Sequence, residues 1–467
     1  TTDIYTLSLH DALPISLREG YKLVNAGVGG DTVTINATTA PDAAGIAMTS
    51  GVLQGVTGIA SVSGVDATEA KGRSGRFVTG DNANFTFDNK GGLTDMVTSD
   101  QISATGGADT ITLGARNSTA NLGYQVVFGG MGADTITVQS GTVSEDIIFG
   151  DNAEFKRKML GYQTILAQST VTASGGDDVI RTGSGDKIIV GGFGSDTIVA
   201  NTVATTGLVN RSIVLGDSGV IGYDLGGAGK LQKVESIALS NGGVDRVTLG
   251  DGDVTFIGGF GADVLNVNSS ETAFRVVAGD NAQFLFSGTA IVADQAESLT
   301  SALTLDQTST TGDGDRLSIG VSGSISGDMG KVIALGGMGA DTITVSGATA
   351  DAVLLGDNGQ VIRTTGSNGV LLSVTSLLPE LGAGDSITTV SGKRVIIGGM
   401  GADTILAGKG EGVVFGDSGR VSYHTSGTLQ SATSIGIAQG GNDTITLGAG
   451  SAGADGNQVV IGGFGAD

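Results

Sequence analysis

Residues 173–199 read ASGGDDVIR, TGSGDKIIV and GGFGSDTIV when they are divided into nines. The eighth residue of each nine is an isoleucine: Ile180, Ile189 and Ile198. A glycine-rich turn of about six residues followed by a three-residue strand explains this period, because Gly accepts positive φ and alternate strand residues face opposite sides. One such coil cannot bury its own apolar residue. The stretch therefore predicts a stack of coils, an all-β parallel solenoid.

The same period recurs along the chain. Residues 240–266 read SNGGVDRVT, LGDGDVTFI and GGFGADVLN, and residues 380–406 read ELGAGDSIT, TVSGKRVII and GGMGADTIL. The last nine of each set is one copy of an element that occurs six times, beginning at Gly129, Gly191, Gly258, Gly336, Gly398 and Gly462. A second element is an apolar strand closed by Gly-Asp and then Asn or Ser, with its aspartates at Asp81, Asp151, Asp217, Asp280, Asp357 and Asp417. Internal repetition of this kind predicts a single elongated repeat structure.

Composition limits the possible functions. Glycine supplies 83 of the 467 residues, but 39% hydrophobic residues argue against disorder and 3 prolines argue against collagen. The formal net charge of −23 argues against nucleic acid or an anionic membrane as a partner and favours a cation. With no cysteine, a metal ion must be held by oxygen ligands, which calcium prefers. No apolar run is long enough for a membrane span.

The repeating nine resembles the RTX (hemolysin-type) nonapeptide GGxGxDxUx, a known calcium-binding repeat. The resemblance is strong at the six consensus copies and looser between them, over most of residues 29–467. It implies a right-handed parallel β-roll in which two nonapeptides form one turn, and in which aspartates eighteen residues apart lie on the same side. Turn carbonyls and the sixth-position aspartate are the calcium ligands that the resemblance implies, here including the carbonyls of Gly191, Gly258 and Gly398.

The eighteen-residue rule selects the candidate calcium ligands. Three pairs satisfy it: Asp178 with Asp196, Asp245 with Asp263, and Asp385 with Asp403. Three further pairs are 25, 26 and 24 residues apart, which we interpret as eighteen plus an insertion that loops out: Asp109 with Asp134, Asp315 with Asp341, and Asp443 with Asp467. On the opposite side the consensus acid is replaced by Lys187, Val254 or Arg394, so we expect no calcium there, or only weak binding through Asp186 or Asp253.

Several other motifs have simpler explanations. GDSG at residues 216–219 and 416–419 matches a serine-protease motif, but sister repeats carry Asn at the Ser position, which indicates a turn residue. For the Gly-Asp-Asn element, an Asx turn and a second kind of calcium ligand remain equal alternatives. Outward threonines, as in Thr110-Ile111-Thr112, either favour the extended strand or form an array that binds ice or glycan. No catalytic site is predicted.

Residues 1–16 differ from everything that follows. Residues 6–16 read TLSLHDALPIS, which matches one translated frame of a common sequencing adapter, so we expect this segment to be non-native. We expect residues 17–467 to be one continuous solenoid, truncated at both ends. The resemblance implies a calcium-binding structural region of a large secreted or cell-surface bacterial protein, similar to RTX adhesins, that folds on calcium after export and has an extracellular surface or glycan as a possible ligand. The alternative is the repeat tail of an exported enzyme or toxin. A β-helix carbohydrate-active enzyme would need a surface acid cluster that is not apparent.

Overall fold

The computed structural model describes residues 21–25, 32–35, 45–48, 75–87, 93–99, 106–114, 124–139, 145–157, 164–200, 210–224, 230–268, 272–287, 299–308, 311–320, 330–365, 369–438, 440–448 and 456–467. The adapter-like segment 1–16 lies outside these residues. So do the insertions expected between Asp109 and Asp134, between Asp315 and Asp341, and between Asp443 and Asp467, at 115–123, 321–329 and 449–455.

The described residues form strands and connecting turns, without a helix. The strands, in chain order, are β1 (Tyr21–Asn25), β2 (Thr32–Ile35), β3 (Gly45–Met48), β4 (Gly75–Thr79), β5 (Ala83–Phe87), β6 (Leu93–Thr98), β7 (Thr110–Leu113), β8 (Tyr124–Phe128), β9 (Thr135–Val138), β10 (Glu145–Phe149), β11 (Ala153–Arg157), β12 (Thr164–Ser169), β13 (Val179–Thr182), β14 (Asp186–Gly192), β15 (Thr197–Ala200), β16 (Arg211–Asp217), β17 (Gly219–Tyr223), β18 (Leu231–Ser236), β19 (Arg246–Leu249), β20 (Asp253–Gly259), β21 (Val264–Val267), β22 (Ala273–Asp280), β23 (Ala282–Phe286), β24 (Leu299–Thr304), β25 (Arg316–Ile319), β26 (Gly330–Gly337), β27 (Thr342–Asp357), β28 (Gly359–Arg363), β29 (Leu371–Ser376), β30 (Ser386–Gly399), β31 (Thr404–Lys409), β32 (Gly412–Asp417), β33 (Gly419–Tyr423), β34 (Leu429–Ser434), β35 (Thr444–Leu447) and β36 (Gln458–Ile461). The described part of the chain contains no helix that is long and apolar enough to cross a membrane.

Two parallel rows of strands make the solenoid. We call the first row the central sheet; it runs β3, β1, β4, β8, β10, β14, β16, β20, β22, β26, β27, β30, β32 and β36. We call the second row the outer sheet; it runs β2, β7, β9, β13, β15, β19, β21, β25, β27, β30, β31 and β35. The long strands β27 and β30 contribute their first residues to the outer sheet and their last residues to the central sheet. The predicted parallel solenoid is confirmed.

A third layer was not predicted. Six hairpins pair side by side into a 12-stranded antiparallel sheet, which we call the hairpin sheet, in the order β34, β33, β29, β28, β24, β23, β18, β17, β12, β11, β6 and β5. Each hairpin leaves the solenoid after a Gly-Asp element, as β11 and β12 do after Asp151. Every second coil therefore carries a hairpin, and this insertion explains the long repeat of the sequence.

The central sheet is buried on both faces. Ile148 and Ile189 pack with outer-sheet residues such as Ile136 and Ile180 in one core. Phe149, the residue after Ile148 in β10, and Phe128 in the neighbouring strand β8 pack against the hairpin sheet in a second core. Consecutive strand residues alternate between these two cores because side chains alternate across a strand. Outer strands bury two residues each, as β9 does with Ile136 and Val138, so the expected single inward residue per coil describes neither sheet.

Candidate metal centre

The consensus turn connects a central strand to an outer strand at one edge of the solenoid. In the copy at Gly191, the turn runs from the end of β14 to the start of β15. Gly192 and Gly194 have φ of 126° and 123°, a region that residues with a Cβ rarely adopt. The turn ends at Asp196, whose side chain points back into the edge and is 1% exposed.

Aspartates from successive turns form one continuous file. The backbone N–H of Asp178 donates to Oδ1 of Asp196, at 2.7 Å, and the N–H of Asp196 donates to Oδ1 of Asp245, at 2.7 Å. The same bond recurs at each step, between 2.6 and 3.2 Å. We call this file the aspartate ladder; its members are Asp109, Asp134, Asp178, Asp196, Asp245, Asp263, Asp315, Asp341, Asp385, Asp403, Asp443 and Asp467.

All twelve sequence-predicted aspartates lie on this ladder. Partners eighteen residues apart are direct neighbours, as in Asp245 and Asp263, and so are the partners separated by insertions, as in Asp315 and Asp341. The structure also joins one pair to the next, for example Asp134 to Asp178 across a hairpin-bearing coil. The nine-residue period gave no signal for that second set of contacts.

In most of the ladder carboxyl groups, the second oxygen has no hydrogen-bond partner among the described residues. Within the described residues this holds for Oδ2 of ten aspartates: Asp134, Asp178, Asp196, Asp245, Asp263, Asp315, Asp341, Asp385, Asp403 and Asp443. None of these ten forms an ion pair with a described basic residue. Buried carboxyl oxygens are normally paired, because leaving one without a partner costs free energy. A row of such oxygens therefore requires either protons or cations.

Glycines allow these oxygens to approach the turn backbone closely. A Cβ on Gly191 would overlap both Oδ2 of Asp196 and the carbonyl oxygen of Gly216. Gly258 and Gly398, the other two glycines predicted to take part, have the same surroundings, with Asp263 and Asp403 respectively. A carboxylate oxygen and a carbonyl oxygen thus both lie close to the glycine Cα at each of these turns, and calcium binds oxygens of these two kinds.

Carboxylates alone do not make a metal site here. Among the described residues, no three His, Cys, Asp or Glu side chains converge as a metal-binding group. A cation on the ladder would therefore be held by a carboxylate together with backbone carbonyl oxygens. The donors present fit calcium, which accepts carbonyl and carboxylate oxygens in flexible geometries.

Burial makes the ladder carboxyl groups hard to ionise. Removal from water raises the pKa of Asp134 to about 9 and the pKa of Asp196 to about 8. Burial also raises the pKa of Asp263 well above its usual value, and the negative charges of Asp245 and Asp315 raise it further. A nearby cation would have the opposite effect and favour the charged carboxylates.

The Gly-Asp-Asn aspartates have a different environment. Asp151 accepts backbone N–H bonds from Gly176 at 3.2 Å and from Phe193 in the next consensus turn. Asp217 makes the equivalent pair with Gly243 and Phe260. These carboxyl groups brace two neighbouring turns across coils, a role that sequence reasoning left undecided between an Asx turn and a calcium ligand.

At the opposite edge, carboxylates have basic partners. Nζ of Lys187 lies 2.8 Å from Oδ2 of Asp146, and both side chains are fully buried. Asp186 pairs with Arg211, while Oδ1 of Asp253 accepts the N–H of Phe274 at 2.8 Å. Both residues that were expected to bind calcium weakly therefore already have protein partners. Among the described residues, Lys187 and Arg211 balance acids at this edge, whereas no basic residue pairs with the ten ladder aspartates.

We expect Gly191→Ala to destabilise the fold by about 3 kcal/mol or more, because its Cβ would overlap a backbone carbonyl oxygen as well as Asp196. Urea unfolding in millimolar calcium measures the effect. Gly222→Ala is the matched control, since the nearest atom to its Cβ would be Cβ of Lys233, at 4.0 Å. Equal unfolding midpoints for the two variants would show that the turn has room for a side chain.

Comparison with known proteins identifies no relative of this chain. No protein-family model, no curated protein and no solved structure matches it.

Proposed function

We propose that this chain is a calcium-binding structural repeat region, in which cations held along the aspartate ladder stabilise the stacked coils. The observation that carries the proposal is the row of ten buried Oδ2 atoms that lack hydrogen-bond partners among the described residues and lie close to the turn glycines. The GGxGxDxUx resemblance independently supports calcium as the ion. No catalytic role is proposed for the chain.

Calcium would act on folding through charge. Ladder carboxyl groups such as Asp245 and Asp263 are neighbours, so their negative charges repel one another when both ionise. A divalent ion near them cancels this repulsion and links two coils. Because the ligands come from different coils, the complete ligand set exists only in the folded chain, and the free energy of binding adds to folding stability.

The calcium affinity typical of such sites indicates the compartment in which the protein would fold. Extracellular calcium modules bind at about 10⁻⁴ to 10⁻³ M, well above the free calcium that intracellular sensors detect. A chain with this property would stay unfolded before export and would fold outside the cell. We therefore propose a secreted or cell-surface protein, with an adhesin of the RTX kind as the favoured example.

The test is calcium uptake by a double variant, Asp196→Asn with Asp263→Asn. Asn keeps an oxygen that can accept the backbone N–H of the preceding ladder aspartate, but it places an NH₂ group where Oδ2 borders the glycine carbonyl. We expect calorimetry to show fewer bound calcium ions with the β-sheet spectrum retained. Asp313→Asn is the matched control because Asp313 is exposed and close to Asp315 but is not on the ladder. Unchanged uptake in the double variant, or the same loss in the control, would refute the proposal.

A further inference from the structure

The outer sheet presents a flat, hydroxyl-rich face. In each outer-sheet strand from β7 to β35, the first and third residues point away from the core. Strand pairing aligns these residues into two columns that run along the solenoid. We call these positions the threonine face. Its threonines are Thr110, Thr112, Thr135, Thr137, Thr197, Thr248, Thr342, Thr344, Thr388, Thr404, Thr444 and Thr446.

The charge of this face is opposite to that of the whole chain. The chain has 47 acidic and 24 basic residues, yet these two columns, from β7 to β35, contain no Asp or Glu. They contain three arginines, all exposed: Arg181, Arg246 and Arg316. The threonine face is therefore locally cationic on a strongly acidic protein.

Among the residues that the structure describes, the three arginines have no hydrogen-bonding or ionic partner. Elsewhere in the described chain Lys187, Arg211 and Lys233 form ion pairs. No side-chain hydrogen bond, ion pair or ring contact involves Arg181, Arg246 or Arg316 among the described residues. In a chain with two acids for each base, three free guanidinium groups on one face point to an anion supplied from outside.

Their spacing is regular. The arginines lie on β13, β19 and β25, and one strand separates each from the next, namely β15 and β21. Strands lie about 4.8 Å apart, so successive arginines are about 10 Å apart along the solenoid axis. Arg246 and Arg316 lie in one column, whereas Arg181 lies in the other column. Thr248, Asn266 and Ser318 share the column of Arg181 and add hydrogen-bonding groups beside Arg246 and Arg316.

We propose that the threonine face binds a linear anionic polysaccharide that lies along the solenoid axis. A polymer with an acidic group on every second sugar offers charges at roughly the spacing of the arginines, and its hydroxyl groups match the threonines. Guanidinium groups bind carboxylates and sulfates through paired hydrogen bonds. Asp245 and Asp315 directly precede Arg246 and Arg316, but these aspartates are buried whereas the arginines are exposed. Salt screens acids that lie farther than about 8 Å away at physiological ionic strength.

Hyaluronan oligosaccharides are a suitable probe, since every second sugar carries a carboxylate. Fluorescence anisotropy of the labelled oligosaccharide, with the full chain in millimolar calcium, measures binding. We expect Arg181→Gln, Arg246→Gln and Arg316→Gln together to weaken binding roughly tenfold or more, and added salt to weaken it progressively. The triple variant should keep its circular dichroism spectrum, because these side chains form no hydrogen bond, ion pair or ring contact with the described residues.

Arg420→Gln is the matched control, since Arg420 is an exposed arginine on the hairpin sheet. Equal loss in this control, unchanged binding by the triple variant, or equally tight binding of neutral chito-oligosaccharides would overturn the proposal. A preference for single-stranded DNA over hyaluronan would assign the face to nucleic acid instead and would also overturn it. The calcium proposal is tested separately, because the spectrum reports folding whether or not the probe binds.

Discussion

Without divalent cations at about pH 8, the chain is expected to lose its β-sheet circular dichroism signal, and millimolar calcium is expected to restore it. The cause is the ladder. Each aspartate with a raised pKa costs the folded state about 1.4 kcal/mol for every pH unit above its unfolded pKa, up to its folded pKa. Domains are stable by only about 5 to 15 kcal/mol, so a few such aspartates suffice to unfold the chain.

The measurement is a calcium titration after chelation, followed by circular dichroism. Magnesium at the same concentration is the control ion, because it is smaller and needs near-ideal octahedral geometry, which carbonyl-rich turns do not supply. Sodium chloride at equal ionic strength controls for screening. Identical spectra in chelator and in calcium would contradict the proposal that the ladder binds cations. Recovery of the β-sheet signal in sodium chloride alone would show that general charge screening, and not bound calcium, restores the fold.

The outer sheet and the ladder could be predicted from local sequence. Ile180 and Ile198 recur at a fixed position, and both are fully buried. Asp178 and Asp196 are adjacent because one hairpin-free coil contains eighteen residues. Short-range periodicity is sufficient here, since the turn and the strand are both encoded within a single nine.

The hairpin sheet could not be predicted from that period, because its partners are far apart in sequence. Ala167 in β12, for example, pairs with Ile221 in β17. One signal was nevertheless present. Central strands carry continuous apolar runs, such as Ile188-Ile189-Val190 in β14, whereas outer strands alternate, as in Thr135-Ile136-Thr137. A continuous run indicates a strand that is buried on both faces, and hence a third layer.

The second large effect concerns how the stability of the metal-free chain depends on pH, because protons and calcium can both neutralise the ladder carboxylates. Burial raises the folded pKa of Asp196, Asp341 and Asp403 to about 8, whereas the unfolded value is 3.8. Below the unfolded pKa both states are protonated and the ladder costs nothing. Above it the unfolded chain releases protons that the folded chain retains, so stability falls as pH rises and levels off above the folded pKa.

In chelator, the β-sheet signal is therefore expected to return as the pH is lowered below about 8, and the urea midpoint of the refolded chain is expected to rise further towards about pH 5. With saturating calcium the carboxylates are already ionised and neutralised, so the midpoint should vary little between about pH 6 and pH 9 and fall only when protons displace the metal. Asp263→Asn removes one titrating group and should flatten the metal-free profile, whereas Glu380→Gln should not, because Glu380 is exposed and lies off the ladder. A metal-free chain that becomes more stable as pH rises would have ionised ladder carboxylates stabilised by the protein itself, and calcium would then have no charge left to neutralise.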